Sequence, residues 1–82
     1  MIRDKVLELL GQRGGIDAGR VADDTSLYDA GLTSFASMQL MLALEESFGI
    51  EFPERMLNRR TFSTVGNITA AVTELVTEKA GA

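Results

Sequence analysis

The sequence predicts an all-α fold of three main helices and one short one, and three observations support that. Three stretches repeat apolar residues at helical spacing. Glycines stand where two of them stop. No segment alternates apolar and polar residues for long enough to make a convincing strand. The chain has 82 residues, 45% of them hydrophobic. That suits a single domain spanning 1–82 with a modest core.

The first helix is expected from Ile2 to Arg13, with Ile2, Val6, Leu9 and Leu10 on one side and Gly14-Gly15 as the stop. The second runs from Ser34 to Phe48, closed by Gly49. The third runs from Thr64 to Lys79. Its Val65, Ile68, Val72, Leu75 and Val76 form a single apolar stripe, and Ser63 or Thr64 can cap its start. A short helix is expected over Pro53 to Asn58, with proline in the first turn. Lys79 to Ala82 reads as a frayed end. The long connection from Gly15 to Thr33 carries the apolar residues Ile16, Val21, Leu27, Tyr28 and Leu32. Loops of that length are usually functional or disordered, and these anchors favour an ordered loop laid across the bundle.

Composition excludes several function classes. The chain has no Cys, His or Trp, and 12 acids against 8 bases give a net charge of −4. No disulfide can form, no imidazole can act as base or ligand, and Ser–His or Cys–His catalysis within the chain is excluded. No base lies beside Ser34 in sequence, so no enzyme activity is expected. An acidic chain is a poor nucleic-acid binder. The longest apolar run, Leu40 to Leu44, is far too short to span a membrane. The N-terminus lacks a signal-peptide core, so a cytoplasmic location is expected.

Three features point towards interaction. Asp23, Asp24, Asp29, Glu45, Glu46, Glu51 and Glu54 occur with no intervening base, and Arg55, Arg59 and Arg60 follow. Solvated surface is the favoured reading of this run, and an acidic face for a basic partner is the other. On a wheel of about 100° per residue, Leu40, Met41, Leu44 and Phe48 share the core side of the second helix, with Ala43 and Ser37 beside them. Phe35, Met38 and Leu42 fall on the opposite side with Gln39, Glu45 and Glu46. Either the long loop covers this trio or it is a strip for docking a partner. Finally, Ser34 stands at the start of a helix. It can be an N-cap, or it can present a phosphodiester to the helix N-terminus, where free N–H groups and the dipole favour negative charge.

The stretch Asp29-Ala30-Gly31-Leu32-Thr33-Ser34-Phe35, then Met41 to Pro53, then Phe62-Ser63-Thr64-Val65-Gly66-Asn67-Ile68, resembles the acyl carrier proteins over nearly the whole chain. The resemblance implies the acyl-carrier-protein four-helix bundle, with its long loop between the first two helices, and a non-enzymatic carrier. It also implies 4′-phosphopantetheine on Ser34, moved there from coenzyme A by a phosphopantetheinyl transferase, with cargo held on the cofactor thiol as a thioester. A monomer that docks several enzymes in turn is expected, including a downstream transferase.

The departures from that pattern are informative. The common Asp-Ser-Leu is here Thr33-Ser34-Phe35, and two further acidic positions of the fatty-acid carriers are Ala36 and Gln39. Glu45 and Glu46 remain. Gly31 to Ser37, Gln39 to Leu42, Glu51-Phe52-Pro53 and Leu57-Asn58-Arg59 resemble the stand-alone bacterial aminoacyl carrier proteins. Those are loaded by ligases similar to class II aminoacyl-tRNA synthetases. This narrower resemblance implies docking through Thr33, Phe35, Met38, Gln39 and Leu42, with Glu45, Glu46, Leu57, Arg59 and Arg60. The two arginines can also position the arm or its phosphate, and the other reading is that they serve solubility alone. The alternatives are an acyl carrier of a fatty-acid, polyketide or other specialised pathway, and a helical interaction module without cofactor.

Overall fold

The computed structural model describes residues 1–81. Helix α1 is Ile2–Arg13, α2 is Ser34–Phe48 and α3 is Val65–Gly81, with 3₁₀ turns at Ala18–Arg20 and Glu54–Met56. No strand occurs among the described residues. The expected bounds of α1 and α2 hold. The short fourth helix reduces to the Glu54–Met56 turn, and the turn at Ala18–Arg20 is an addition. Helix α3 does not fray at Lys79 but continues through Gly81. The Lys79 ammonium donates to the Gly49 carbonyl, tying this last stretch to the end of α2. The part of the frayed-end expectation that concerns Ala82 lies outside the described residues.

Each boundary has a local cause. Gly49 takes φ 63°, ψ 40°, a left-handed conformation that other residues adopt at a cost, and its N–H bonds the Glu45 carbonyl. Gly14 is needed for space rather than for φ. A Cβ there would lie 2.8 Å from the Leu10 carbonyl oxygen. Of the two candidate caps for α3, Thr64 serves: its hydroxyl accepts from the Asn67 N–H at 3.0 Å.

The core draws on every segment. Val6, Leu9 and Leu10 of α1 meet Leu40, Ala43 and Leu44 of α2 and Val65, Ile68, Val72 and Leu75 of α3. Met41 and Phe48 only edge this core, half-buried, although the wheel puts them in its stripe. Phe52 and Phe62, both buried, form a tilted ring pair with centroids 5.4 Å apart.

The long loop is a structural member, as its anchors predict. Ile16, Leu27 and Leu32 are buried, while Val21 and Tyr28 pack against the core from its rim. The Leu27 N–H donates to the Ser63 carbonyl at 2.8 Å, and the Gly66 N–H to the Asp23 carbonyl at 2.9 Å. The Arg3 guanidinium grips the Asp23 carboxylate at 2.6 and 2.9 Å, joining α1 to the loop. That hydrogen bond holds Asp23 below the usual carboxylate range. Its contribution is therefore present above that range and fades as the pH falls through the depressed value.

Candidate functional site

The site begins where the loop delivers α2. Leu32 is buried, and its N–H bonds the Leu27 carbonyl at 2.8 Å, which fixes the approach. Thr33 then stands in extended conformation, and its hydroxyl accepts from the Ala36 N–H at 3.0 Å. Thr33 is thus the N-cap, which corrects the expectation that Ser34 could fill that role. Ser34 is the first helical residue. It is exposed, and its hydroxyl is released from capping. The nearby Ser37 hydroxyl donates back to the Ser34 carbonyl at 3.0 Å. The first N–H groups of α2 carry the positive end of the helix dipole beside Ser34.

Ser34 opens onto a groove of about 360 Å³. One wall is α2, through Ser34, Ser37, Met38 and Met41; the other is Tyr28 with Leu57, Asn58, Arg59 and Phe62. Its size is at the low end for small-molecule pockets. The Arg59 guanidinium lies over the Tyr28 ring, 3.8 Å from its centroid. Asn58 shapes the rim: its side chain donates to the Arg55 carbonyl at 2.9 Å and accepts from the Thr61 N–H at 3.0 Å. Sequence reasoning missed Tyr28 as a site residue, whereas Asn58 lies within the Leu57–Arg60 region that it offered as docking surface. Asn58 carries a local signal, asparagine at a turn. Tyr28 carries none, because its contact with Arg59 exists only in the folded chain.

The apolar trio on α2 is uncovered. Phe35 is 73% exposed, Met38 57% and Leu42 50%, so the long loop does not shield them. Leu57 is 49% exposed. It shares the groove with Met38, which extends the apolar surface across the groove. Thr33 is exposed and Gln39 half-exposed along the same helix.

The charged candidates divide. Glu46 is exposed. One Glu45 carboxylate oxygen instead accepts from the Phe52 N–H at 2.8 Å, in a part-buried setting that holds the chain after α2. Glu45→Ala should therefore cost about 1 kcal/mol or more in a denaturant melt, because it strands the part-buried Phe52 N–H. Glu45→Gln keeps an acceptor oxygen and should cost less than half as much. Equal costs would show that charge rather than the hydrogen bond matters. The arginines also part company. Arg55 pairs with Glu74 at 2.9 Å and Glu78 at 3.5 Å. Arg59 faces the Ser34 groove, and Arg60 lines a separate groove of about 230 Å³ with Met56, Thr61 and Asn67. Among the described residues no helix is long and apolar enough to cross a membrane.

Comparison with known proteins identifies the family. The model of the family described as phosphopantetheine attachment site matches residues 4–72. An aminoacyl carrier protein of Agrobacterium fabrum is 54% identical over 52 residues, and that match spans 63% of either chain, under two thirds of the relative's length. A D-alanyl carrier protein of Lactobacillus acidophilus is 36% identical over 74 residues, covering 89% of this chain and 92% of its own. Among solved structures, the fold matches a crystal structure of an engineered Bradyrhizobium japonicum glycine:[carrier protein] ligase complexed with carrier protein from Agrobacterium tumefaciens and ATP. There the TM-score is 0.87 at 40% identity, over 92% of this chain and 100% of the matched one. A solution structure of an Agrobacterium tumefaciens protein matches with a TM-score of 0.76 at 40% identity, over 98% of this chain and 99% of the other. With the family pattern running from α1 into α3, the chain belongs to the phosphopantetheine attachment site family, that of the acyl carrier proteins.

Proposed function

We propose that this chain is an aminoacyl carrier that bears 4′-phosphopantetheine on Ser34 and is loaded by an amino acid:carrier protein ligase. The observation that carries the reading is the state of Ser34: exposed, freed from capping by Thr33, and at the mouth of a groove. These residues fit the group. The Ser34 oxygen can form the new bond to phosphorus as its proton leaves and coenzyme A gives up its nucleotide half. The Ser34 and Phe35 N–H groups at the helix start favour the resulting negative charge. When bound, the group supplies the thiol for thioester-linked cargo that a chain without cysteine lacks.

Aminoacyl cargo is supported by the similarity to carriers named for aminoacyl and D-alanyl groups. It is also supported by likeness to a carrier complexed with a glycine:[carrier protein] ligase. The surface beside Ser34 agrees. Ala36 and Gln39 stand where fatty-acid carriers have acids, while Phe35, Met38 and Leu42 offer apolar contact.

The test is intact mass. The full chain is incubated with coenzyme A and a broad-specificity phosphopantetheinyl transferase. It is then given either an amino acid:carrier protein ligase with ATP and glycine or alanine, or an acyl-carrier-protein synthetase with a fatty acid. One phosphopantetheine followed by one aminoacyl group is expected. Loading with fatty acid alone would overturn the aminoacyl reading. No phosphopantetheine gain on a folded chain would leave a helical interaction module.

The docking strip gives a second expected result. Phe35→Ala, Met38→Ala or Leu42→Ala should each change stability by no more than about 0.5 kcal/mol, since these side chains are at least half exposed. Each should raise the ligase KM for the carrier roughly five- to thirty-fold, the range for truncating an interface anchor at about 1–2 kcal/mol. Added salt should weaken docking only mildly, because Glu45 is committed inward. Losses of several kcal/mol in stability would mark these residues as packing rather than contact.

A further inference from the structure

Arg59 is set apart from the other arginines by its surroundings. It lines the groove that Ser34 opens onto, and among the described residues it is the only cation there. Among the described residues no carboxylate lines that groove. The other polar side chains around it are largely committed. Ser37 donates to the Ser34 carbonyl, and Asn58 is spent on the turn through Arg55 and Thr61. The guanidinium carbon sits over the Tyr28 ring, 3.8 Å from its centroid. A cation–π contact of this kind places the charge without using the N–H donors, with which arginine can bind phosphate.

We propose that Arg59, stacked on Tyr28, is the phosphate-positioning residue of this carrier. It pairs with the phosphodiester formed on Ser34 and lays the arm along the groove. The apolar wall of Met38, Met41 and Phe62 suits the aliphatic part of the arm. The pairing also answers an electrostatic need. Loading adds negative charge to a chain already at −4, in a region whose seven acids from Asp23 to Glu54 have no base among them. Arg60, of the same charge and adjacent in sequence, faces the other groove and has no part in this. The proposal rests on Ser34 as the attachment residue.

The experiment reads the phosphorus directly. The wild-type chain, Arg59→Gln, Arg59→Lys and Arg60→Gln are each converted with coenzyme A and the transferase, and intact mass verifies the conversion. Phosphorus NMR then gives the chemical shift and relaxation of the phosphodiester at low and high salt. In the wild type the resonance should move with added salt as the ion pair is screened. In Arg59→Gln it should already sit at the high-salt position, relax as a more mobile group and ignore salt. Arg59→Lys keeps charge without the planar stack and should lie between them. Arg60→Gln should match the wild type. Arg59 is exposed, so these variants should keep the fold, which far-UV circular dichroism checks. Identical spectra for Arg59→Gln and the wild type, or an equal displacement in Arg60→Gln, would overturn the proposal while the carrier reading stands. A wild-type chain that gains no phosphopantetheine mass would overturn both.

Discussion

Ser34→Ala should abolish phosphopantetheine loading completely and change stability by no more than about 0.5 kcal/mol, the range of surface substitutions. The two halves of this result rest on different facts. Loading needs a hydroxyl at the start of α2, and alanine has none. Stability is spared because the N-cap hydrogen bond belongs to Thr33, whose hydroxyl takes the Ala36 N–H at 3.0 Å. Alanine is also a good residue for the first turn of a helix, and the Ser34 side chain is exposed. The contrast is Thr33→Ala, which should cost about 1 kcal/mol, the usual loss at a cap. Intact mass and a thermal melt on the two variants separate chemistry from capping. If Ser34→Ala still gained mass, the arm would sit on another hydroxyl, and the assignment of Ser34 would fall. If Ser34→Ala cost as much as Thr33→Ala, the serine would contribute to the cap after all.

That the cap falls on Thr33 and not on Ser34, which could also have filled the role, shows what a sequence can carry. Serine and threonine are both good caps, and side-chain type does not choose between neighbours. The choice is made by backbone angles. Thr33 is extended at φ −92°, ψ 164°, while Ser34 is already helical, and buried Leu32 sets that entry from behind. The helix ends were legible for the opposite reason. Gly14 and Gly49 mark stops that depend on one residue each. The short helix expected over Pro53 to Asn58 shrank to Glu54–Met56 because Leu57 leaves helical geometry at ψ 69° and the Asn58 side chain takes the Arg55 carbonyl. Local side-chain bonds of that kind compete with a helix and leave little trace in hydrophobic spacing.

The site was half legible on the same logic. Phe35, Met38 and Leu42 share a face by helical period, so the wheel grouped them correctly. Whether the loop would cover them was a tertiary question, and periodicity is silent on it. The groove was invisible. Its walls come from the long loop, the first half of α2 and the segment from Leu57 to Phe62, which only the packed core brings together. For the same reason Arg59 and Arg60 read as one basic pair, although the backbone between them turns the two side chains to different grooves.

That dependence of the site on the loop leads to the second large effect. Leu27→Ala should cost about 2–5 kcal/mol, the cost of emptying a core leucine site, although Leu27 lies in no helix. Its side chain is fully buried, its N–H bonds the Ser63 carbonyl and its own carbonyl accepts from Leu32, both at 2.8 Å. The side chain therefore fills the space between the bundle and the segment that enters α2, and the backbone links that segment to the start of α3. A domain of this size has roughly 0.05–0.15 kcal/mol of stability per residue, or about 4–12 kcal/mol in all, so the loss is a large share of the total. At roughly 4–8 °C per kcal/mol for a small domain, the melting temperature should fall by about 10 °C or more. Leu57→Ala is the matched control, because Leu57 is 49% exposed and should cost no more than about 0.5 kcal/mol. Loading of the remaining native Leu27→Ala at low temperature should persist, since Ser34 and Thr33 are untouched. A Leu27→Ala melt close to that of Leu57→Ala would mean that the loop lies on the bundle without belonging to its core. In that case the entry to α2, and with it the position of Ser34, would have to be held by Leu32 and Ile16 alone.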